Sequence, residues 1–326
     1  MKIPWVVALL CGLSLVAAVP AAQAQAKGSA PAAKPELVLL DTDIGDDIDD
    51  AFALGLMLKS SELKVLGITT TFGDTELRAR LLDRFLAAAG RSDIPVGAGP
   101  ATKNDNVFTQ AAYAKQAPAK KHADGVALML NAIRAHPGEV TLIAIGPLFT
   151  VQAAIEKDPG TFRKLKRVVL MGGSVERGYD NSKGERQPPA PEWNIDRDPK
   201  GAQALFAAGV PIAMMPLDST QIHLETKERE RIFAHGSAVT DQITLLYHQW
   251  MAGSEWHTAT PTLFDPVTVA YVLHPELCPT KPMRIEVDEK GMTRAVEGKP
   301  NAEVCLASDE KGFMELLLNR LTGQEK

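Results

Sequence analysis

The sequence predicts an α/β fold with a mainly parallel central sheet and helices on both faces. Three observations carry this. Short, almost wholly apolar runs recur along the chain, stretches of helical periodicity separate them, and Gly, Pro or Asp follow their carboxyl ends. The 326 residues, 45% hydrophobic and 23% charged, can bury a large core, which excludes disordered, collagenous and coiled-coil classes.

Residues 1–26 precede the predicted fold. Lys2 leads into the apolar stretch 3–19, Pro20 breaks it, and Ala22-Gln23-Ala24 follows as a small-x-small cleavage signature, the pattern of a secretory signal peptide. A periplasmic or secreted location is therefore expected. Residues 27–36, rich in Ala, Lys and Pro, read as a flexible spacer, and 37–326 as one domain.

Within that domain, residues 37–40 form an apolar strand, 41–50 an acidic loop and 51–58 a helix. Residues 63–71 are β-branched and apolar. Over 74–89, Leu77, Leu81, Leu82, Phe85 and Leu86 fall at helical spacing, with Asp74 as N-cap and Gly90 as the stop. Residues 140–145 predict a strand that runs through Gly146-Pro147 into a helix reaching Ile155. Further strands are expected at 167–171, ending in Gly172-Gly173, and at 211–217. Residues 283–287, 292–296 and 302–306 read as a small C-terminal β excursion, closed by a helix over 313–321. Cys278 and Cys305 remain after signal removal, free to pair in an oxidising compartment or to sit as separate buried thiols; neither lies in a CxxC.

The formal net charge is −5, with no basic block to replace the counterions of a nucleic acid. A small-molecule partner fits better, with no membrane contact once the signal is cleaved; self-association stays open. In a parallel sheet, ligands bind beyond the carboxyl ends of the strands. There, after the first strand, Asp41, Asp43, Asp46, Asp47, Asp49 and Asp50 place six carboxylates in ten residues. Like charges at this density repel and resist ionisation, so the cluster implies a cation. Hard oxygen donors favour Ca²⁺ or Mg²⁺, and Ca²⁺ when carbonyls and substrate hydroxyls complete the shell.

The segment from Leu39 to Asp43 together with Asp49-Asp50-Ala51-Phe52-Ala53-Leu54 resembles the N-terminal signature of the inosine-uridine preferring nucleoside hydrolase family. Gly67-Ile68-Thr69-Thr70, Gly146-Pro147-Leu148, Met171-Gly172-Gly173, Glu192-Trp193-Asn194-Ile195 and Asp265-Pro266 look like further family motifs in the family's order. The resemblance implies hydrolysis of the N-glycosidic bond of ribonucleosides to base and ribose. It implies Ca²⁺ held by Asp43, Asp50, Asp265 and the carbonyl of Ile145, with Asp41 beside them. Asp43 would be the base that deprotonates the attacking water, and Asp49, Asp74, Glu192 and Asn194 would meet the sugar, with Trp193 beside the substrate.

This sequence departs from the family pattern in several places. Phe264 stands where the family has a His that protonates the departing base, the loop between Asp43 and Asp49 is two residues longer, and Asp74 replaces a common Asn. Phe149-Thr150 replaces the usual Thr-Asn, and residues 177–191 resemble an insertion. Arg177, Tyr179 and His257 are the candidates for leaving-group contacts. Trp193 and Trp256 fit either base stacking or core packing. Two other classes remain open: a non-catalytic exported binding protein for nucleosides or sugars, and, from Asp41-Thr42-Asp43, a haloacid dehalogenase-like phosphatase.

Overall fold

The computed structural model of the protein describes residues 1–2, 4–5, 34–103, 106–253 and 259–323. The chain divides into a short N-terminal unit, Met1–Ala33, and a body, Lys34–Lys326. Most of the predicted signal peptide and spacer, and Trp256 and His257, lie outside the described residues.

In the body, β1 (Glu36–Thr42) leads to α1 (Asp49–Leu58), β2 (Leu63–Thr70) to α2 (Thr75–Ala88), and β3 (Val96–Ala98) to α3 (Ala111–Lys115). Next come β4 (Ala123–Asp124), α4 (Gly125–Ala135), β5 (Val140–Ala144), α5 (Phe149–Lys157) and α6 (Pro159–Phe162). They are followed by β6 (Arg167–Met171), α7 (Trp193–Arg197), α8 (Pro199–Ala207), β7 (Ile212–Met215) and α9 (Leu217–Thr220). The last part holds α10 (Thr226–Phe233), α11 (Ala238–Gly253), α12 (Pro266–Leu273), β8 (Thr280–Val287), β9 (Thr293–Val296), β10 (Ala302–Cys305) and α13 (Glu310–Thr322).

The sheet order is β4-β3-β2-β1-β5-β6-β7-β10-β8-β9. All pairings from β4 to β10 are parallel; β8 and β9 alone run antiparallel to their neighbours. The two-residue period of the strands divides the core in two. Val38, Leu40, Ile143, Val169, Met171, Ala213 and Met215 face one apolar layer, packed by helices that include α1, α2, α11, α12 and α13. Leu37, Leu39, Leu142, Val168, Leu170 and Met214 face the other, packed by α4, α5, α6 and α8. Both faces are covered, as the unbroken apolar runs require.

One boundary differs from expectation. The strand at 211–217 stops at Met215, because Pro216 has no N–H to give the ladder and Leu217–Thr220 turns into α9. The C-terminal β excursion adjoins the main sheet. β10 pairs in parallel with β7, and its Val304 and Cys305 enter opposite core layers, so it continues the main sheet. Cys278 and Cys305 form a disulfide, with Cα atoms 5.6 Å apart, tying β10 to the turn before β8.

Candidate active site

The acidic loop leaves the carboxyl end of β1 at the middle of the sheet, between β2 and β5. Thr42 starts its turn. The Thr42 Oγ1 accepts from the Ile44 N–H at 3.0 Å and donates to Asp50, while Thr69 on β2 donates to Asp41 at 2.5 Å. Arg78, on α2 and fully buried, reaches under the loop. It donates to the carbonyls of Phe72 (2.8 Å), Ile44 (3.0 Å) and Asp43, and forms a two-pronged ion pair with Asp46 at 2.9 and 3.1 Å. Burial works against the guanidinium's charge, but Asp46 and Asp43 overcome this and hold its pKa above the ordinary value.

α1 and α12 pack together and bring their N-terminal ends to one point. Asp49 and Asp50 open the first turn of α1, and Asp265 is the N-cap residue of α12; the Asp265 N–H donates to Asp49 Oδ2 at 3.1 Å. One carboxylate oxygen from each of Asp49, Asp50 and Asp265 lies within 4.8 Å of the others, all three residues buried. Helix N-termini favour negative charge but do not neutralise three adjacent carboxylates. Burial, and then the charges of their neighbours, drive Asp50 and Asp265 well above the usual carboxylate range. Burial raises Asp49 to about 6 against opposing backbone N–H groups, Asp43 to about 7 with Arg78 opposing, and Asp41 to about 8 with Thr69 opposing.

This donor set fits a hard divalent cation. The trio supplies only oxygen, and the buried Asp41 Oδ2 has no hydrogen-bond partner among the described residues. The trio contains Asp49 where the resemblance named Asp43. Asp43 instead lies along the β5–α5 turn, where a Cβ on Gly146 would come within 2.8 Å of Asp43 Oδ1 and 2.9 Å of its backbone N. Ile145, next to that glycine, donates its N–H to the Asp41 carbonyl at 2.9 Å, so the β5 end and the acidic loop share one seam.

The second group of expected residues gathers at the start of α7. Glu192, buried as its N-cap, accepts from the N–H groups of Asn194 (2.9 Å), Gly173 (2.8 Å) and Ile195 (3.2 Å). Burial raises its pKa to about 7 against these three donors. Asn194 donates to the Met171 carbonyl at 3.2 Å. Trp193 is half-buried, with the Arg197 guanidinium 3.9 Å over its ring and Phe72 edge-on at 6.1 Å. Asp74 stands apart as an exposed helix cap, accepting from Leu77 N–H at 3.0 Å.

The unusual positions also have places. Phe72, with φ of 62°, is the one non-glycine residue of positive φ among those described, and it stacks on Phe149 at 6.0 Å. An aromatic side chain held in that region marks stored strain at a site. Phe264, next to Asp265, carries Tyr179 edge-on at 6.0 Å. The 177–191 segment folds back on itself through Gly178 N–H to Gln187 O and is fastened by Gln221 at the end of α9, while the residues just before it, Val175 and Glu176, donate their N–H groups to Asp218 on α9. Arg177 is committed to Asp180.

Arg78 and Phe72 were not expected from the sequence. A signal existed for Arg78: it lies four and seven residues before Leu82 and Phe85, on the apolar stripe of α2, where an arginine needs a buried partner.

Residues 38–315 match the profile of the family described as inosine-uridine preferring nucleoside hydrolase. The pyrimidine-specific ribonucleoside hydrolase RihA of Escherichia coli O127:H6 is 33% identical over 312 residues, spanning 87% of this chain and 97% of its own. RihA of Citrobacter koseri is 34% identical with the same coverage. Among solved structures, a plant nucleoside hydrolase superposes with a TM-score of 0.78 at 27% identity, over 89% of this chain and all of its own. The purine-preferring ribonucleoside hydrolase of Gardnerella vaginalis, at 23% identity and a TM-score of 0.76, over 88% of this chain and 98% of its own, shares the fold.

Proposed function

The chain belongs to the inosine-uridine preferring nucleoside hydrolase family, enzymes that hydrolyse the N-glycosidic bond of nucleosides, and on that premise we propose a Ca²⁺-assisted ribonucleoside hydrolysis with Asp43 as base. The observation that carries the proposal is the buried trio of Asp49, Asp50 and Asp265, whose mutual repulsion calls for a cation. Asp50 and Asp265 would hold it, with Asp49 and Asp43 on either side and the Ile145 carbonyl and Asp41 from the adjoining strand ends. When bound, Ca²⁺ lowers the pKa of a water and polarises the sugar diol.

The chain's own groups then divide the work. Asp43 accepts the water's proton at a carboxylate oxygen, and the absence of a side chain on Gly146 leaves the space that carboxylate occupies. Departure of the base leaves positive charge on the ribose ring, which the neighbouring carboxylates stabilise without reorganising, because backbone N–H groups and Arg78 already fix their positions. Glu192, clamped by three N–H donors, and Asn194 would align the sugar, with Trp193 beside it.

Family membership sets aside the phosphatase and non-catalytic binding readings. Relatives named for pyrimidines and for purines both occur, so the test is a panel of both. Ribose release from uridine, cytidine, inosine or adenosine supports the proposal when Asp43→Asn lowers it at least about 10³-fold, as Asn cannot accept the proton. Activity within a few-fold of the parent would remove Asp43 from the base role. Export through a cleaved segment 1–26 is likewise proposed, and the Cys278–Cys305 disulfide agrees with an oxidising compartment.

A further inference from the structure

We infer that Tyr179 is the leaving-group donor, its phenolic O–H hydrogen-bonding the base as it departs. The inference deepens the hydrolase reading of the same site and rests on it.

Tyr179 stands on the bridge between the two halves of the site. Its ring lies edge-on to Phe264, the residue immediately before Asp265 of the carboxylate trio, and its hydroxyl accepts the Trp193 N–H at 2.9 Å at the start of α7, next to Glu192 and Asn194. Tyr179 is 37% exposed as a residue, so it borders open space. The Trp193 N–H fixes the oxygen and occupies one of its lone pairs. The O–H proton has no acceptor among the described residues. Burial of the hydroxyl, then the negative field of Glu192, push its pKa well above 10, so it stays a neutral donor at any working pH. Phe264 has no proton to give, and Arg177 pairs through two of its nitrogens with Asp180. The segment that carries Tyr179 is anchored on both sides of it, since Gln221 binds the Gly178 carbonyl at 3.1 Å and accepts from the Asp180 N–H at 2.8 Å.

In the step, the C1′–N bond breaks and its electron pair passes to the base. The water oxygen bonds to C1′ and its proton goes to Asp43. The base leaves hydrogen-bonded to Tyr179 and takes its proton from solvent, so Tyr179 keeps its own.

The test compares Tyr179→Phe with the parent on inosine, uridine and 4-nitrophenyl riboside. The Phe variant keeps the packing on Phe264 and removes only the hydroxyl. A fall in kcat of about 10²-fold on the nucleosides, with 4-nitrophenyl riboside within about threefold, is expected, because 4-nitrophenolate leaves unaided. Equal losses on all three substrates would assign Tyr179 to holding Trp193 and overturn the inference, as would no loss on any. A parent enzyme inert towards all three substrates would defeat the hydrolase reading itself. Should Tyr179→Phe fail to fold, 3-fluorotyrosine at this position replaces it as the probe. Its more acidic O–H should raise nucleoside turnover and leave the aryl riboside unchanged, whereas a uniform response, or none, contradicts the role.

Discussion

Replacing Arg78 by Met keeps most of the aliphatic stem and removes the guanidinium from beneath the acidic loop. Its side chain is fully buried, and Asp46 is 12% exposed. Breaking such a buried pair from one side costs about 3–5 kcal/mol, and the carbonyls of Phe72, Asp43 and Ile44 lose a donor at the same time. The rings of Phe72 and Phe108, 5.9 and 5.0 Å from the guanidinium carbon, retain apolar contact with Met, so little cavity cost is added. At about 2–4 °C per kcal/mol for a large domain, the expected fall in Tm is roughly 10 °C. Thermal unfolding followed by circular dichroism, with and without Ca²⁺, reads it directly. Arg78→Met combined with Asp46→Asn should recover part of the loss, since the charge left behind is removed as well. A single variant melting within about 2 °C of the parent, with turnover unchanged, would refute the assignment of Arg78 as the strut of the loop.

Gly146→Ala should lower kcat at least about tenfold while the protein remains folded, because the added methyl meets Asp43 Oδ1 and the Asp43 backbone N; unaltered kcat would show that Asp43 has room to move. Metal-free protein should lose stability as pH rises from about 4 to 8. Asp49, Asp43, Glu192 and Asp41, raised to about 6, 7, 7 and 8, bind protons in the folded state that the unfolded chain has already released, so the slope of stability against pH is negative across that window. Saturating Ca²⁺ should flatten the share owed to Asp41, Asp43 and Asp49. A melting temperature of the chelated protein that climbs over the same range would contradict the sign.

Much of this was legible in the sequence because the physics is local. Apolar runs gave the central strands to within a residue or two, and Asp74 caps α2 as its place before Thr75 implied. β3 and β4, three and two residues long, are too short for any periodicity to show. The joining of β10 to β7 depends on a long-range pairing that its four residues do not encode alone. The acidic loop announced the site, yet the membership of the trio was decided by the packing of α1 on α12, 216 residues apart at Asp49 and Asp265. Glu192 was expected as a sugar ligand, and its threefold N–H clamp emerged only once α7 met the turn after β6.

The most direct measurement is ribose release from inosine and uridine as chelated enzyme is titrated with Ca²⁺, alongside Asp265→Asn. If the carboxylate trio is a cation site that drives hydrolysis, the chelated parent is inactive, activity returns in step with one equivalent of bound Ca²⁺, and Asp265→Asn needs much more Ca²⁺ or never recovers. Full turnover in chelator, with no Ca²⁺ uptake by the parent, would contradict it.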